Sequence, residues 1–240
     1  MDNAYAAAYP DLYRRHWWWR VREEILLAEI ERLLNHIPAP RILDVGCGAG
    51  LFFDALQRFG EVEGIESDAT AVQAAGRWRS RIHHGELNGS FSPAAPYQLV
   101  LMLDVLEHLT RPIELLRQAA SHLTKGGRLL ITVPAFNWLW TRHDDVNHHV
   151  KRYTDREMRR LVEAAGLSVD RSRYLFPSLV LPKALVRIKE ALVGDSPDVP
   201  RIPAPWMNGA VQTALRAEHA VTARVPFGTS LMVVASRSDR

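Results

Sequence analysis

The most constraining feature of this 240-residue chain is a glycine-rich turn that directly follows a short apolar run. The run at 42–45 leads into Gly46, Gly48 and Gly50, and apolar residues at helical spacing follow at 51–59. Glycine lets the backbone turn sharply, and it lets a ligand approach the main chain without a Cβ atom in the way. A strand, a tight turn and a helix in this order are typical of the nucleotide-binding edge of an open α/β sheet.

Two acidic residues accompany the turn. Asp44 lies two residues before the first glycine, where a carboxylate can reach the ammonium group of an amino-acid-bearing ligand. Glu66 ends a second predicted strand, where a carboxylate can accept hydrogen bonds from both hydroxyls of a ribose. A nicotinamide dinucleotide site would need glycine at the position of Leu51, so the Gly-x-Gly-x-x-Gly fingerprint is absent.

Together, these residues resemble the first two motifs of the class I S-adenosylmethionine-dependent methyltransferases, and the resemblance extends over residues 16–175. It implies S-adenosylmethionine as the cofactor. It also implies an α/β Rossmann-like fold with a seven-stranded, mostly parallel sheet, helices on both faces, an antiparallel last strand and a helical insertion before that strand. It further implies that an arginine of the N-terminal helix binds the carboxylate of S-adenosylmethionine; the candidate is Arg20, with Arg22 as the alternative. The donor-binding residues implied in this way are Arg20, Asp44, Gly46, Cys47, Gly48, Gly50, Glu66, Ser67, Glu86, Leu87 and Leu103.

Hydrophobic patterning predicts a single domain in which strands alternate with helices. The predicted strands are 41–46, 61–66, 80–84, 97–103, 127–133, 168–175 and 229–236, and the predicted helices are 16–35, 50–59, 69–77, 111–122 and 154–165. We expect an N-terminal capping helix at 16–36, a donor-binding core at 41–176, a helical insertion forming an acceptor lid at 177–226, and the last strand at 229–236. The proline-rich stretch 195–205 predicts an extended connection.

Composition favours a globular protein without disulfides or membrane spans. Hydrophobic residues make up 47% of the chain, Cys47 is its single cysteine, and no apolar run of about 18 residues occurs. The N-terminus lacks the features of a signal peptide, so we expect a cytoplasmic protein. Residues 171–240 contain ten basic and five acidic side chains but no dense basic cluster, so we expect no nucleic-acid partner.

The fourth predicted strand runs into a short acidic and histidine-containing string. Asp104, Glu107 and His108 belong to the sequence Asp-Val-Leu-Glu-His-Leu, which is similar to that of the ubiquinone-pathway O-methyltransferases. His108 is a candidate catalytic base because a neutral imidazole can accept a hydroxyl proton near pH 7. Alternatively, Glu107 and His108 orient a loop. We predict no metal centre; the candidates for one are these same three residues, which share one face of a helical turn and resemble a motif of RNA 3′-end methyltransferases.

The segment after the fifth strand, 134–153, is the most unusual part of the chain, with three histidines, two aspartates and two tryptophans. It resembles a pattern in uncharacterised methyltransferases that are often encoded near glycan- or lipid-modifying enzymes. We expect His143 or His149 to act as the general base. In the alternative reading, Arg152 pairs with Asp144 to brace the loop. The residues expected to bind the acceptor are Trp140, Asp144, Arg152 and Tyr153.

The insertion contains a basic amphipathic segment, in which Pro182 is expected at the first helical position and Lys183, Arg187 and Lys189 follow. Such a helix contacts an anionic membrane peripherally, or it packs over the core with a solvated basic face. We expect a methyltransferase that acts on a hydroxyl of a small, glycan-linked or lipid-linked acceptor. The alternatives are a non-catalytic S-adenosylmethionine-binding partner subunit and a nicotinamide oxidoreductase.

Overall fold

The computed structural model describes residues 3–193, 200–222 and 225–237. Seven strands form a mixed sheet in the order β3-β2-β1-β4-β5-β7-β6. The strands are β1 Arg41–Val45, β2 Glu61–Glu66, β3 Ile82–His84, β4 Tyr97–Leu103, β5 Leu123–Pro134, β6 Leu167–Leu175 and β7 Ser230–Arg237. β1 to β5 are parallel, and β7 is antiparallel to both β5 and β6. The predicted sheet and its antiparallel last strand are confirmed.

The helices differ from the sequence prediction at several places. The helices are α1 Asn3–Arg15, α2 Trp17–Leu34, α3 Phe53–Leu56, α4 Ala69–Ala74, α5 Pro112–Ser121, α6 Arg142–Val146, α7 Asp155–Ala164, α8 Val180–Val193 and α9 Pro205–Val221. Helix α1 and the short α6 were not expected. The helix expected at 50–59 is reduced to the single turn of α3. Helix α8 begins at Val180, so Pro182 is not its first residue.

Apolar side chains cover both faces of the central strands. In β4, Val100 and Met102 pack with α5 and α7, whereas Leu99 and Leu101 pack with α2 and α9. This alternation follows from the strand geometry, because successive side chains point to opposite faces. Each buried leucine or valine contributes about 1.5–3 kcal/mol to folding, so both layers of helices are needed.

The topology brings four loops to one edge of the sheet. β1 lies between β2 and β4. The strands after β1 are therefore added first on one lateral side of it, as β2 and β3, and then on the other, beginning with β4. At this reversal the carboxyl ends of β1 and β4 border a crevice, the position at which open α/β sheets bind ligands. The loops after β2 and β5 open onto the same edge.

The insertion packs against the rest of the domain through both of its helices. Helix α9 lies against α2, where Arg216 forms a 2.7 Å ion pair with Glu24. The Trp17 backbone N–H donates to Asn208 Oδ1 at 2.9 Å. Of the extended connection expected at 195–205, residues 195–199 lie outside the described residues, 200–204 form no regular secondary structure, and Pro205 begins α9. No helix within the described ranges combines the length and apolar character needed to cross a membrane.

Candidate active site

The glycine turn after β1 presents open backbone at the edge of the sheet. Gly46 and Gly48 have positive φ values of +73° and +55°. A Cβ atom on Gly46 would lie 2.8 Å from Val105 Cγ2, whereas nothing lies within 4 Å of a Cβ built on Gly48. Gly46 therefore allows the loop after β4 to pack closely, and Gly48 leaves its face open to a ligand.

The glycine turn packs directly against β2 at Gly64, a residue that the sequence pattern did not indicate. A Cβ atom on Gly64 would lie 2.4 Å from Cys47 Sγ and 2.7 Å from Phe53 Cζ. Burial raises the pKa of the Cys47 thiol, and the negative charges of Asp44 and Glu66 raise it further. Cys47 is therefore a neutral packing group in the turn rather than a nucleophile.

Glu66 is held in a fixed orientation at the end of β2. The Gly48 backbone N–H donates to Glu66 Oε2 at 2.8 Å, and the Asp68 N–H donates to Oε1 at 2.8 Å. A carboxylate offers about four acceptor positions, so both oxygens keep the capacity to accept another hydrogen bond. This arrangement suits a vicinal diol such as that of a ribose.

Asp44 lies one residue before the end of β1 and is almost completely buried, at 4% exposure. Burial raises the pKa of its carboxyl group to about 7; the charge of Arg22 lowers it and that of Glu66 raises it. A cationic ligand at this edge would restore the ionised form, because an opposite charge nearby favours it. Asp44 therefore has the environment expected of a group that receives an ammonium ion.

Of the two arginines suggested by the sequence, Arg22 reaches the strand ends. Its Nη2 lies 2.7 Å from Asp104 Oδ2 and donates to Thr132 Oγ1 at 2.8 Å. Its guanidinium also lies 5.5 Å from the ring centre of Trp18. Arg20 instead forms an ion pair with Glu23 at 2.8 Å. Contact of Arg20 with the donor stays a prediction, and Arg22 is the better placed alternative.

The remaining donor-side candidates lie along the same edge. Ser67 and Glu86 are exposed after β2 and β3, and Leu103 ends β4 in a partly buried position. The side chain of Leu87 belongs to the hydrophobic core. Donor contacts by these four residues stay predictions.

The loop between β5 and α7 is organised around Asp144, whose side chain is completely buried. Thr141 donates to Asp144 Oδ2 from its backbone N–H at 2.9 Å and from Oγ1 at 3.2 Å. His149 Nδ1 and Arg152 Nη1 lie 2.9 and 2.7 Å from Oδ1. Burial alone would raise the pKa of Asp144, but the hydrogen bond from His149 and the charges of Lys183 and Arg152 hold it below its usual range. Asp144 is therefore ionised at neutral pH.

Arg152 and Tyr153 brace this loop. Arg152 donates from Nε to the Ala135 carbonyl at 2.9 Å and from Nη2 to the Thr229 carbonyl at 3.1 Å. The Tyr153 hydroxyl donates to the Leu106 carbonyl at 3.0 Å. These contacts engage the buried side chains of Asp144, Arg152 and Tyr153 within the loop, and acceptor binding by the three residues stays a prediction. The alternative in which Arg152 pairs with Asp144 is confirmed.

Two of the three candidate bases meet. The rings of His108 and His149 lie 4.8 Å apart between centroids, in an edge-to-face arrangement. The pKa of His108 is lowered because the surrounding protein partly desolvates the ring and because charge on His149 would oppose its own. His143 lies in α6 with Nε2 3.2 Å from Asn147 Nδ2. Of the three, His149 is the histidine that a buried carboxylate holds.

Glu107 lies beside this histidine pair and is fully buried. Neither of its carboxylate oxygens has a hydrogen-bond partner within the described part of the chain. Burial, and secondarily the charge of Asp104, raises the pKa of Glu107 well above its usual value. Ligand atoms of Glu107, His108 and His149 all lie within 4.8 Å of one another. Asp104, the third metal candidate from the sequence, is instead engaged by Arg22.

Helix α8 contacts the loop through two basic side chains, the partly buried Lys183 and the exposed Arg187. Lys183 Nζ lies 3.9 Å from Asp144 Oδ2, and burial lowers the pKa of this lysine to about 8, with Arg152 as the second cause. Arg187 donates to the Trp140 carbonyl at 3.2 Å. The expectation of a solvated basic face is therefore corrected at Lys183, whereas Arg187 and Lys189 are exposed as expected. The opposite face is apolar and 54–79% exposed at Leu181, Leu185, Ile188 and Leu192.

Trp140 is the remaining candidate for contact with the acceptor. It is partly buried after the 3₁₀ turn Asn137–Leu139, and its Nε1 donates to Asp145 Oδ1 at 2.8 Å. Its neighbour Trp138 is 51% exposed. Acceptor binding by Trp140 stays a prediction.

Comparison with known proteins agrees with the assembled geometry. A family model described as a methyltransferase domain matches residues 18–172. The chain is 30% identical over 114 residues to a ubiquinone biosynthesis O-methyltransferase of Bradyrhizobium sp. (strain ORS 278), a match that spans 44% of each protein. It is 28% identical over 169 residues to a probable S-adenosylmethionine-dependent methyltransferase of Mycolicibacterium smegmatis, over 67% of this chain and 63% of the relative.

A solved structure supports the fold. Magnesium protoporphyrin IX methyltransferase from Synechocystis PCC 6803, with bound S-adenosylhomocysteine, has a TM-score of 0.55 to this chain. The two proteins share 14% sequence identity, and the superposition covers 92% of this chain and 85% of that one. At this level of identity the likeness concerns the fold alone.

Proposed function

We propose, from the premise that the chain belongs to the class I S-adenosylmethionine-dependent methyltransferases, that it methylates a hydroxyl group of a lipid-linked acceptor. The premise rests on a family match that covers more than half of the chain. One observation carries the choice of a hydroxyl. His149, held by the buried carboxylate of Asp144, lies at the same sheet edge as the glycine turn.

The donor-side residues fit S-adenosylmethionine. When bound, this cofactor supplies a methyl group on a positively charged sulfur, which can be transferred by in-line displacement. Glu66 would accept hydrogen bonds from the ribose hydroxyls, and the open face of Gly48 would allow close approach of the ligand. Asp44 would receive the ammonium group and become ionised by it.

On the acceptor side, the hydroxyl must lose a proton as the new oxygen–carbon bond forms. Since Nδ1 of His149 is bound to Asp144, the lone pair available for this chemistry is on Nε2. That lone pair promotes proton loss in one of two ways: it takes the proton itself, or it holds a cation that acidifies the hydroxyl. A non-catalytic donor-binding subunit, the alternative, would have no use for a histidine fixed in this manner.

The lipid-linked acceptor is favoured by helix α8. Its polar face contacts the acceptor loop through Lys183 and Arg187, so the exposed stripe of four apolar side chains on its other face borders the site. An apolar stripe beside a polar reaction site suits an acceptor whose head group reacts while its chain remains in a membrane surface. Peripheral membrane contact is part of this proposal.

The proposal is tested with tritium-labelled S-adenosylmethionine and two acceptor pools, a polyprenyl-linked sugar fraction and the same sugars released from lipid. We expect label in the lipid-linked pool as alkali-stable methyl ethers. His149→Gln should lower the rate by about 100-fold or more, the contribution of a lost acid–base group. His148→Asn, an exposed histidine in the same loop, is the matched control and should retain the rate. Alkali-labile label, or full activity of His149→Gln, would contradict the proposal.

A further inference from the structure

Three side chains from two separate segments converge beside the proposed acceptor position. Glu107 and His108 lie in the 3₁₀ turn Leu106–His108 after β4, and His149 comes from the loop after α6. Their potential ligand atoms lie within 4.8 Å of one another. The backbone N–H of Val150 donates to the Glu107 carbonyl at 2.7 Å and ties the two segments together.

Glu107 has no structural role that explains its burial. It is fully buried, and neither carboxylate oxygen has a hydrogen-bond partner among the described residues. Buried polar groups are nearly always satisfied, and an isolated buried carboxylate is strongly unfavourable. A cation bound by this carboxylate would supply the missing partner.

Both histidines are oriented as metal ligands usually are. A ligating histidine almost always donates its other ring N–H to a carboxylate or a backbone carbonyl. His149 uses Nδ1 to contact Asp144, and His108 makes a hydrogen bond to the backbone of His148. One nitrogen of each ring is thereby fixed, and the other remains for coordination.

We propose that Glu107, His108 and His149 bind one divalent transition-metal cation, such as Mn²⁺ or Zn²⁺. Two imidazoles and one carboxylate favour such ions over Mg²⁺ and Ca²⁺, which prefer oxygen ligands. Bond lengths of about 2.0–2.2 Å require ligand atoms about 3 Å apart, so the three groups close slightly on binding. His108 is exposed on a short turn and can make this movement.

This inference rests on the proposed function and deepens it. Three protein ligands leave open coordination positions, which can take the acceptor oxygen. The bound hydroxyl becomes more acidic and releases its proton to solvent. Its oxygen then forms the bond to the methyl carbon as the sulfur–methyl bond breaks and the electron pair remains on sulfur. In the cation-bound enzyme His149 is a ligand rather than the base.

Electron paramagnetic resonance with Mn²⁺ tests the site on the full chain after chelator treatment. The signal of free Mn²⁺ should fall with a stoichiometry of one ion per chain. Glu107→Gln and His149→Gln should each weaken binding at least tenfold, whereas His148→Asn should bind as the wild type does. Circular dichroism of each variant verifies folding. Absence of Mn²⁺ binding up to millimolar concentration, or equal binding by all variants, would overturn the inference.

Methyl-transfer assays with and without chelator separate this inference from the proposed function. If hydroxyl methylation continues after complete chelation, the cation has no role in the reaction, His149 is the base, and the proposed function stands. If Mn²⁺ binds specifically but no hydroxyl is methylated, the cation site stands and the proposed function is wrong. Methylation that is lost on chelation and restored by Mn²⁺ supports both.

Discussion

Replacing Asp144 with asparagine should strongly destabilise the fold while preserving side-chain volume. The substitution leaves the Arg152 guanidinium, which is 3% exposed, without its anion. Removing one partner of a buried ion pair costs about 3–5 kcal/mol because the other charge stays buried. For a chain of this size, each kcal/mol lowers Tm by about 2–4 °C, so the expected drop is about 6–20 °C.

Urea unfolding followed by circular dichroism measures this effect, with Asp145→Asn as the matched control. Asp145 is exposed and accepts one hydrogen bond from Trp140, so its variant should change stability by less than about 1 kcal/mol. The pKa of Asp144 in the fold lies below its unfolded value of about 3.9. The stability that ionised Asp144 contributes is therefore present above that pH and lost as the pH falls below it, so the difference in the free energy of unfolding between wild type and Asp144→Asn should become smaller in acid. A difference below about 1 kcal/mol at pH 7, or one that stays the same in acid, would refute the reasoning.

Three further outcomes are expected. Gly64→Ala should destabilise the protein by about 1–3 kcal/mol in urea unfolding and weaken S-adenosylhomocysteine binding, because its Cβ would collide with Cys47. His16, the N-cap of α2, has a pKa lowered to about 4 by burial, so wild-type stability should fall as the pH drops from 6.5 towards 4. His16→Asn should keep the cap and make that pH profile of Tm shallower, with the remaining slope due to His143 and His219, whose pKa values burial also lowers to about 4. Glu107→Gln should raise the Tm of metal-free protein at neutral pH, because burial raises the pKa of Glu107 and this unpartnered carboxyl must take up a proton on folding, a cost that glutamine does not carry; Mn²⁺ should then raise the Tm of the wild type alone. A Tm for Glu107→Gln at or below that of the wild type would contradict the last expectation.

The sheet was predictable because its signals are local. Buried apolar runs marked β1, β4, β5 and β7, and the observed strands begin or end within a few residues of the predicted ones. Helix α1 was missed because Pro10 interrupts the helical signal in its sequence. Helix α6 is only five residues long, although the spacing of Thr141 and Asp144 is that of the capping box observed there.

The composition of the site was predictable, but the pairing of its residues was not. Histidines and acids at strand ends indicated chemistry, yet sequence spacing does not determine which partners meet across loops. His149 and Glu107 are 42 positions apart and become neighbours only through the fold. The amphipathic pattern of α8 is real, but only tertiary contacts reveal that Lys183 is partly buried beside Asp144 and that Arg187 donates to the loop.

Isothermal titration of the purified chain with S-adenosylhomocysteine tests the central claim most directly. We expect one site with micromolar affinity, and binding at least tenfold weaker in Glu66→Ala because hydrogen bonds to its carboxylate are lost. Glu61→Ala, at the far end of the same strand, should bind as the wild type does. Binding of NAD alone, no binding of either ligand, or equal affinity in Glu66→Ala would contradict the assignment of this edge as the donor site.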